Sequence, residues 1–191
     1  MLYGTVVHPD GTPYADASVE VKAEDFTTLY SATTDENGHY TIDLPDGRYP
    51  FVIAVKDYAQ QYLEYWAQNV PVSGPTQLDM RFDSLEVYGL NAFRVKGGYP
   101  SLHLYFRPMS LDKFRAGAED IAPDAINIRV LIDQRPVELL QCSKVSEFIG
   151  DRSLTAYLVQ VSLPQDIDAW HRVDVMITDA DGHFGTATLF S

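Results

Sequence analysis

Catalysis or metal binding in this chain would have to be built from five histidines, one cysteine and 27 acidic residues. The histidines are His8, His39, His103, His171 and His183, and no two of them stand in an H-x-H or H-E-x-x-H spacing that would set two imidazoles on one metal. His103 alternates with Leu102 and Leu104, which predicts a strand with the imidazole outward, and His39 and His183 fall at hairpin tips. Cys142, in "VELLQCSKV", excludes an internal disulfide and every multi-cysteine zinc site; it reads as a small buried apolar side chain. "DENG" (35–38) and "DADG" (179–182) carry acids at short spacing. A calcium loop needs about six oxygen ligands over twelve residues closing on a bidentate glutamate, and neither supplies them. No G-x-S-x-G is present, the serines of "FDSLEV" and "DRSL" are turn residues, and the pairs Glu24–Asp25 and Glu119–Asp120 read as solvated faces. No metal, no cofactor and no catalytic residue is expected.

One stretch concentrates recognition chemistry. "DYAQQYLEYWAQNV" (57–70) holds three tyrosines and one of the two tryptophans. As a helix it would set Tyr58, Tyr62, Tyr65 and Trp66 on one face at i, i+4, i+7 and i+8. As a strand it would put Tyr62, Glu64 and Trp66 on one side and Leu63, Tyr65 and Ala67 on the other. Tyr58, Tyr62, Tyr65 and Trp66 are the candidate ligand- or partner-binding residues, because tyrosine and tryptophan stack on sugar rings and anchor protein interfaces. The competing reading makes Leu63 and Trp66 anchors of core or interdomain packing.

Composition narrows the partners. A formal charge of −13 repels phosphate backbones and anionic headgroups, so neither nucleic acid nor a membrane surface is expected. No run approaches the roughly 20 apolar residues of a spanning helix. The opening "MLYGTVVHPDG" lacks a basic region followed by an apolar run. The expectation is a soluble chain without an export signal, cytoplasmic as it stands and extracellular had a leader been removed.

The elements that must position these residues are strands. "YGTVVH", "ASVEVKA", "HYTIDL" and "RYPFVIAV" alternate apolar and polar positions, and "HPDGTPY", "TDENGHY" and "LPDGRY" punctuate them with glycines (Gly11, Gly38, Gly47) placed for left-handed backbone. The same character continues in "LEVYGLNAFRV", "SLHLYFRPM", "INIRVLIDQRPVELLQC", "SLTAYLVQVSLP" and "RVDVMITDADGHFGTATLF", with hairpins at Asp133–Gln134 and Asp181–Gly182. Any helix is confined to 109–120 or 57–68, with helix under about 10% of residues. "PVSGPTQLDM" is turn-rich, and the join between two domains is placed near Asp83 or Ser84. The predicted fold is all-β, two tandem antiparallel β-sandwiches over 1–83 and 84–191.

The first half also resembles a known family. Gly4, Asp10, Gly11, Pro13, Ala17, Val19, Thr34, Asp35, Gly38, Tyr40, Leu44, Pro45, Gly47 and Tyr49 follow the pattern of the carboxypeptidase regulatory-like, or transthyretin-like, domain over about residues 3–80. The resemblance implies a seven-stranded transthyretin-like sandwich and a mostly non-catalytic appendage. The C-terminal "VDVMITDADGHFGTATLF" resembles the last hairpin of an immunoglobulin-like domain, which implies an immunoglobulin-like sandwich for residues 84–191. Related surface modules lock themselves with a Lys–Asn isopeptide bond from the first strand, but "YGTVVH" has no lysine. Together these readings predict a non-catalytic binding module for a protein partner or self-association. Carbohydrate binding is the alternative, and an accessory subunit with a site between the sandwiches is a third class.

Overall fold

Wherever period-two alternation dominates the sequence, the chain forms strands. The structure is a computed structural model that describes residues 1–163 and 169–191. The first half contributes β1 (Leu2–Val7), β2 (Ser18–Lys22), β3 (Thr28–Thr33), β4 (His39–Ile42), β5 (Gly47–Val55), β6 (Tyr65–Val72), β7 (Thr76–Gln77) and β8 (Met80–Arg81). The second contributes β9 (Leu85–Phe93), β10 (Ser101–Ser110), the five-residue helix α1 (Leu111–Arg115), β11 (Asn127–Ile132), β12 (Arg135–Pro136), β13 (Leu139–Phe148), β14 (Ser153–Ser162), β15 (Arg172–Thr178) and β16 (Phe184–Phe190). The molecule is all-β, as the turn punctuation predicted, and α1, capped by the Ser110 hydroxyl accepting from the Lys113 amide, falls inside the expected window.

The strands form two sandwiches that share a sheet. Eight strands run in the order β12-β11-β15-β16-β6-β5-β2-β3; β1 lies with β4, β7 and β8 in a second sheet, and β13-β14-β10-β9 make a third. The halves meet where β16 pairs parallel with β6, Ala187 opposite Trp66 and Thr188 opposite Ala67. Side chains of directly paired residues share a face, so the ladder registers trace each face across the whole sheet. One face carries Val19, Val52, Ala54, Tyr65 and Ala67 in the first half and continues onto Thr188, Thr186, Asp174 and Met176 in the second. The other carries Ile53 and Trp66, then Ala187, Val175, Ile177 and Val130.

The two cores use opposite faces. Leu2, Val6, Tyr40, Val52, Tyr65, Met80 and Phe82 close the first. Leu85, Leu102, Phe106, Val159, Val175 and Ala187 close the second. Each partner sheet covers one end of the shared sheet, from opposite sides. A shoulder of uncovered sheet face is left beside each sandwich, and the crossing is tight. A Cβ at Gly185 would lie 2.4 Å from the Leu85 carbonyl oxygen, so only glycine lets β9 cross there.

Several local expectations are corrected. Residues 57–64 form a turn and 65–72 a strand, so the helical face of Tyr58, Tyr62, Tyr65 and Trp66 does not exist. Cys142 is exposed, because β13 is an outer strand. Gly11 and Gly38 have positive φ (90° and 74°) but Gly47, already in β5, does not. His103 is half-buried, stacked on Phe93 with centroids 5.3 Å apart. Asp133 and Gln134 do turn the β11–β12 hairpin, with φ of 48° and 64°. The strand read through "VSLP" ends at Ser162, and its Pro164 lies outside the described residues. Among the described residues no helix is long and apolar enough to cross a membrane.

Candidate functional site

The aromatic stretch divides among separate environments. Asp57 and Ala59 adopt left-handed φ, and the Ala59 amide donates to the Tyr62 carbonyl at 2.8 Å, a turn that leaves the Tyr58 ring 45% exposed. Tyr58 overhangs an apolar dimple of about 90 Å³ lined by Leu63, Met109, Phe114 and Ile121. Tyr62 is half-buried, edge-on to Tyr14, Phe82 and His8. Tyr65 is 2% exposed and points into the first core, where its hydroxyl donates to Thr188 Oγ1 at 2.6 Å. Trp66, its neighbour in β6, points to the other face and packs edge-on to Phe26, Phe51 and Tyr88. The four rings therefore do not form one surface: strand alternation separates Tyr65 from Trp66, and the turn separates Tyr58 from both.

Trp66 also anchors an acid pair. Its indole N–H donates to Glu86 Oε1 at 3.0 Å, and Glu86 Oε2 accepts from the Glu64 amide at 3.4 Å. Glu86 is 1% exposed; burial, reinforced by the Glu64 charge, pushes its carboxyl up to about 8. Burial likewise pushes Glu64 up to about 7. The sequence reading weighed adjacent acids and passed over this pair, whose members come from different halves and meet only through β6 and β9.

The uncovered shoulder beside the first sandwich is a cleft of about 770 Å³ between β1, β7 and β8 on one side and β11, β15 and β16 on the other. Its floor is a chain of hydrogen bonds. Arg172 donates to both oxygens of Asp174 at 2.8–2.9 Å, Thr188 Oγ1 donates to Asp174 Oδ1 at 2.6 Å, and Tyr65 completes the chain. On the opposite wall Asp79 accepts from the Thr5 amide and hydroxyl and from Gln77. Val7, Leu131, Met176 and Phe184 supply apolar lining. No local signal in the sequence marks this cleft, since its residues lie on seven strands and none forms a motif.

At the "DADG" turn, Asp179, Asp181 and His183 bring ligand atoms within 4.8 Å of one another. The turn itself uses them. Asp179 Oδ1 accepts from the Asp181 and His183 amides, and Oδ2 lies 2.9 Å from His183 Nδ1. That bond, with the nearby Asp112 charge, raises the His183 pKa.

A further exposed feature is β13. Its ladder partner is β14, and its other edge is open among the described residues. Cys142, Lys144 and Phe148 lie opposite Val159, Tyr157 and Ser153, on the side facing the core. Yet Tyr157 and Val159 are buried while the β13 residues are exposed, because the opposing sheet ends at β11 and the two-residue β12. Leu139, Leu140, Phe148 and Ile149 are 41%, 39%, 73% and 38% exposed there.

The model of the carboxypeptidase regulatory-like domain family matches residues 1–83, which carry the turn motifs. No curated protein matches the chain. Among solved structures, a DUF3823 family protein from Bacteroides ovatus aligns at 9% identity over 99% of this chain and 97% of its own, with a TM-score of 0.34. BcpA, the major pilin subunit of Bacillus cereus, aligns at 11% identity over 98% of this chain and 66% of its own, TM-score 0.33. The major pilin SpaD from Corynebacterium diphtheriae aligns at 9% identity over 98% and 63%, TM-score 0.30. This chain thus spans about two thirds of the length of either pilin. Likenesses this distant carry no inference about activity or partners.

Proposed function

We propose that the chain is a non-catalytic association module that accepts a further strand along β13, supplied most simply by a second copy of itself. Residues 1–83 and 84–191 act in this reading as two sandwich units held as one body by the β6–β16 seam. The observation that carries it is the ten-residue open edge with its overhanging apolar side chains, the kind of edge that folded proteins otherwise shorten, charge or cover. Charge supports a like partner: residues 135–152 hold three basic and three acidic side chains in a chain of net charge −13, so two such edges meet without the repulsion the rest of the surface would impose. The non-catalytic part rests on how the polar groups are used. Asp174 and Asp79 hold neighbouring side chains and backbone, Asp179 holds its own turn, and the one thiol, Cys142, though exposed, sits in partly apolar surroundings whose partial desolvation raises its pKa, away from the reactive thiolate.

Light scattering across a concentration series tests this. The protein should self-associate, Phe148→Lys with Leu140→Lys should remain monomeric at unchanged thermal stability, and Cys142 should lose reactivity towards a thiol reagent as the wild type associates. A wild type that stays monomeric at millimolar concentration with Cys142 uniformly reactive would overturn the reading.

A further inference from the structure

Among the charged residues of the cleft, one is uncommitted. Asp174 is tied to Arg172 and Thr188, and Asp79 to Thr5 and Gln77, whereas the exposed Arg81 guanidinium makes no hydrogen bond or ion pair among the described residues. The cleft is of ligand size, at about 770 Å³. Its floor is the face of a sheet, and the sheet edge on its wall is only the two-residue strands β7 and β8, whose Arg81 carbonyl already accepts from Thr186, so a ligand there meets side chains and finds no long row of free backbone N–H and C=O groups with which a peptide main chain would pair. The side chains it meets are carboxylates fixed in place with lone pairs to spare, such as Asp174 Oδ2 and Asp79 Oδ2, beside the apolar surfaces of Met176 and Phe184. Preorganised acceptors beside apolar patches suit a ring that carries hydroxyls on its rim and C–H bonds on its face. A partnerless guanidinium in a strongly acidic chain suits an acid on that ring.

We propose that this cleft binds a carboxylate-bearing saccharide, a uronate, with its acid group on Arg81 and its hydroxyls on the anchored Asp79 and Asp174. The site is separate from the β13 edge, and it moves carbohydrate recognition away from the aromatic stretch to a surface with no exposed tryptophan. Binding needs the fork of the guanidinium as well as its charge, because a carboxylate takes two parallel hydrogen bonds from arginine and one from lysine.

Isothermal calorimetry with a galacturonic acid trisaccharide, the matching galactose trisaccharide and triglutamate decides it. The acidic sugar should bind, the neutral one at least about tenfold more weakly, and triglutamate not at all. Arg81→Ala should abolish most of the affinity at an unchanged melting temperature, since what Arg81 gives the fold, its pairing with Val7 and the carbonyl that accepts from Thr186, is made by backbone. Arg81→Lys should keep part of it, and the Phe148→Lys variant should bind like wild type. No heat with the acidic sugar at millimolar concentration would overturn the proposal. So would equal binding of the neutral sugar, equal binding of triglutamate, or an Arg81→Ala variant that binds undiminished.

Discussion

The Tyr65 hydroxyl donates to Thr188 Oγ1 at 2.6 Å, joining residues 123 apart in sequence across the parallel β6–β16 seam. The bond is buried, and Thr188 passes it on to Asp174, so a core ring of the first half orients part of the floor of a cleft that both halves line. Removing the hydroxyl alone leaves Thr188 without its donor while the ring still fills its site.

Tyr65→Phe should therefore cost about 1–2 kcal/mol and Tyr65→Ala about 3–5 kcal/mol in urea unfolding. Because the shared sheet carries both cores, the wild type should unfold in one transition, seen alike by tryptophan fluorescence and far-ultraviolet circular dichroism. Two separated transitions would show that the seam does not couple the halves.

The acid pair sets a pH dependence of unusual sign. Glu86 titrates higher in the folded protein, near 8, than the ordinary 4.5 of a free glutamate, so the folded state holds the proton more tightly than the unfolded one. This contribution is most favourable below about pH 4.5 and is lost as pH rises through about 8, by on the order of 5 kcal/mol. Carboxylates such as Asp35, lowered by the His39 amide, pull the other way at acid pH. Comparison with Glu86→Gln isolates the term: the variant should gain on the wild type steadily from pH 5 to 9 in chemical denaturation. Parallel curves would mean that Glu86 is ionised, and solvated, in the fold.

How much of this was legible follows the range of each interaction. Alternation and turn glycines are local signals, and they located the strands, the Asp133–Gln134 hairpin and the family motifs. The seam is not local. A parallel pairing of β6 with β16 leaves no mark in either strand, and without it neither the opposite destinations of Tyr65 and Trp66 nor the meeting of Glu64 with Glu86 can be read. Cys142 was misjudged for a related reason: "VELLQCSKV" has the apolar content of an inner strand, and only the sheet order reveals it as an edge.

The Asp179–Asp181–His183 group should bind no ion tightly. Asp179 already accepts two turn amides and the His183 ring, and a cation would have to displace the latter. Neither calcium nor zinc at equimolar amounts should move the melting temperature, and a chelator should leave it where it was. A stabilisation that saturates at one ion per chain would show instead that the turn is a preformed site.

Trp66 and Tyr58 offer the sharpest contrast within the stretch. Trp66 touches Phe26, Phe51 and Tyr88 and holds the Glu86 carboxyl, so Trp66→Ala removes a half-buried ring, opens a void between the halves and leaves a buried acid short of a donor. About 3 kcal/mol or more should be lost. Tyr58 stands 45% exposed on a turn, and Tyr58→Ala should cost less than about 1 kcal/mol. Tyr62, edge-on to Tyr14 and Phe82, should fall between them. Thermal melts of the three alanine variants give the order directly. Were Trp66→Ala as mild as Tyr58→Ala, the indole would be dispensable to the junction and free to serve a ligand. A loss confined to Trp66 and Tyr62 would leave Tyr58, above its apolar dimple, as the one ring of the four available to a partner without prior unfolding.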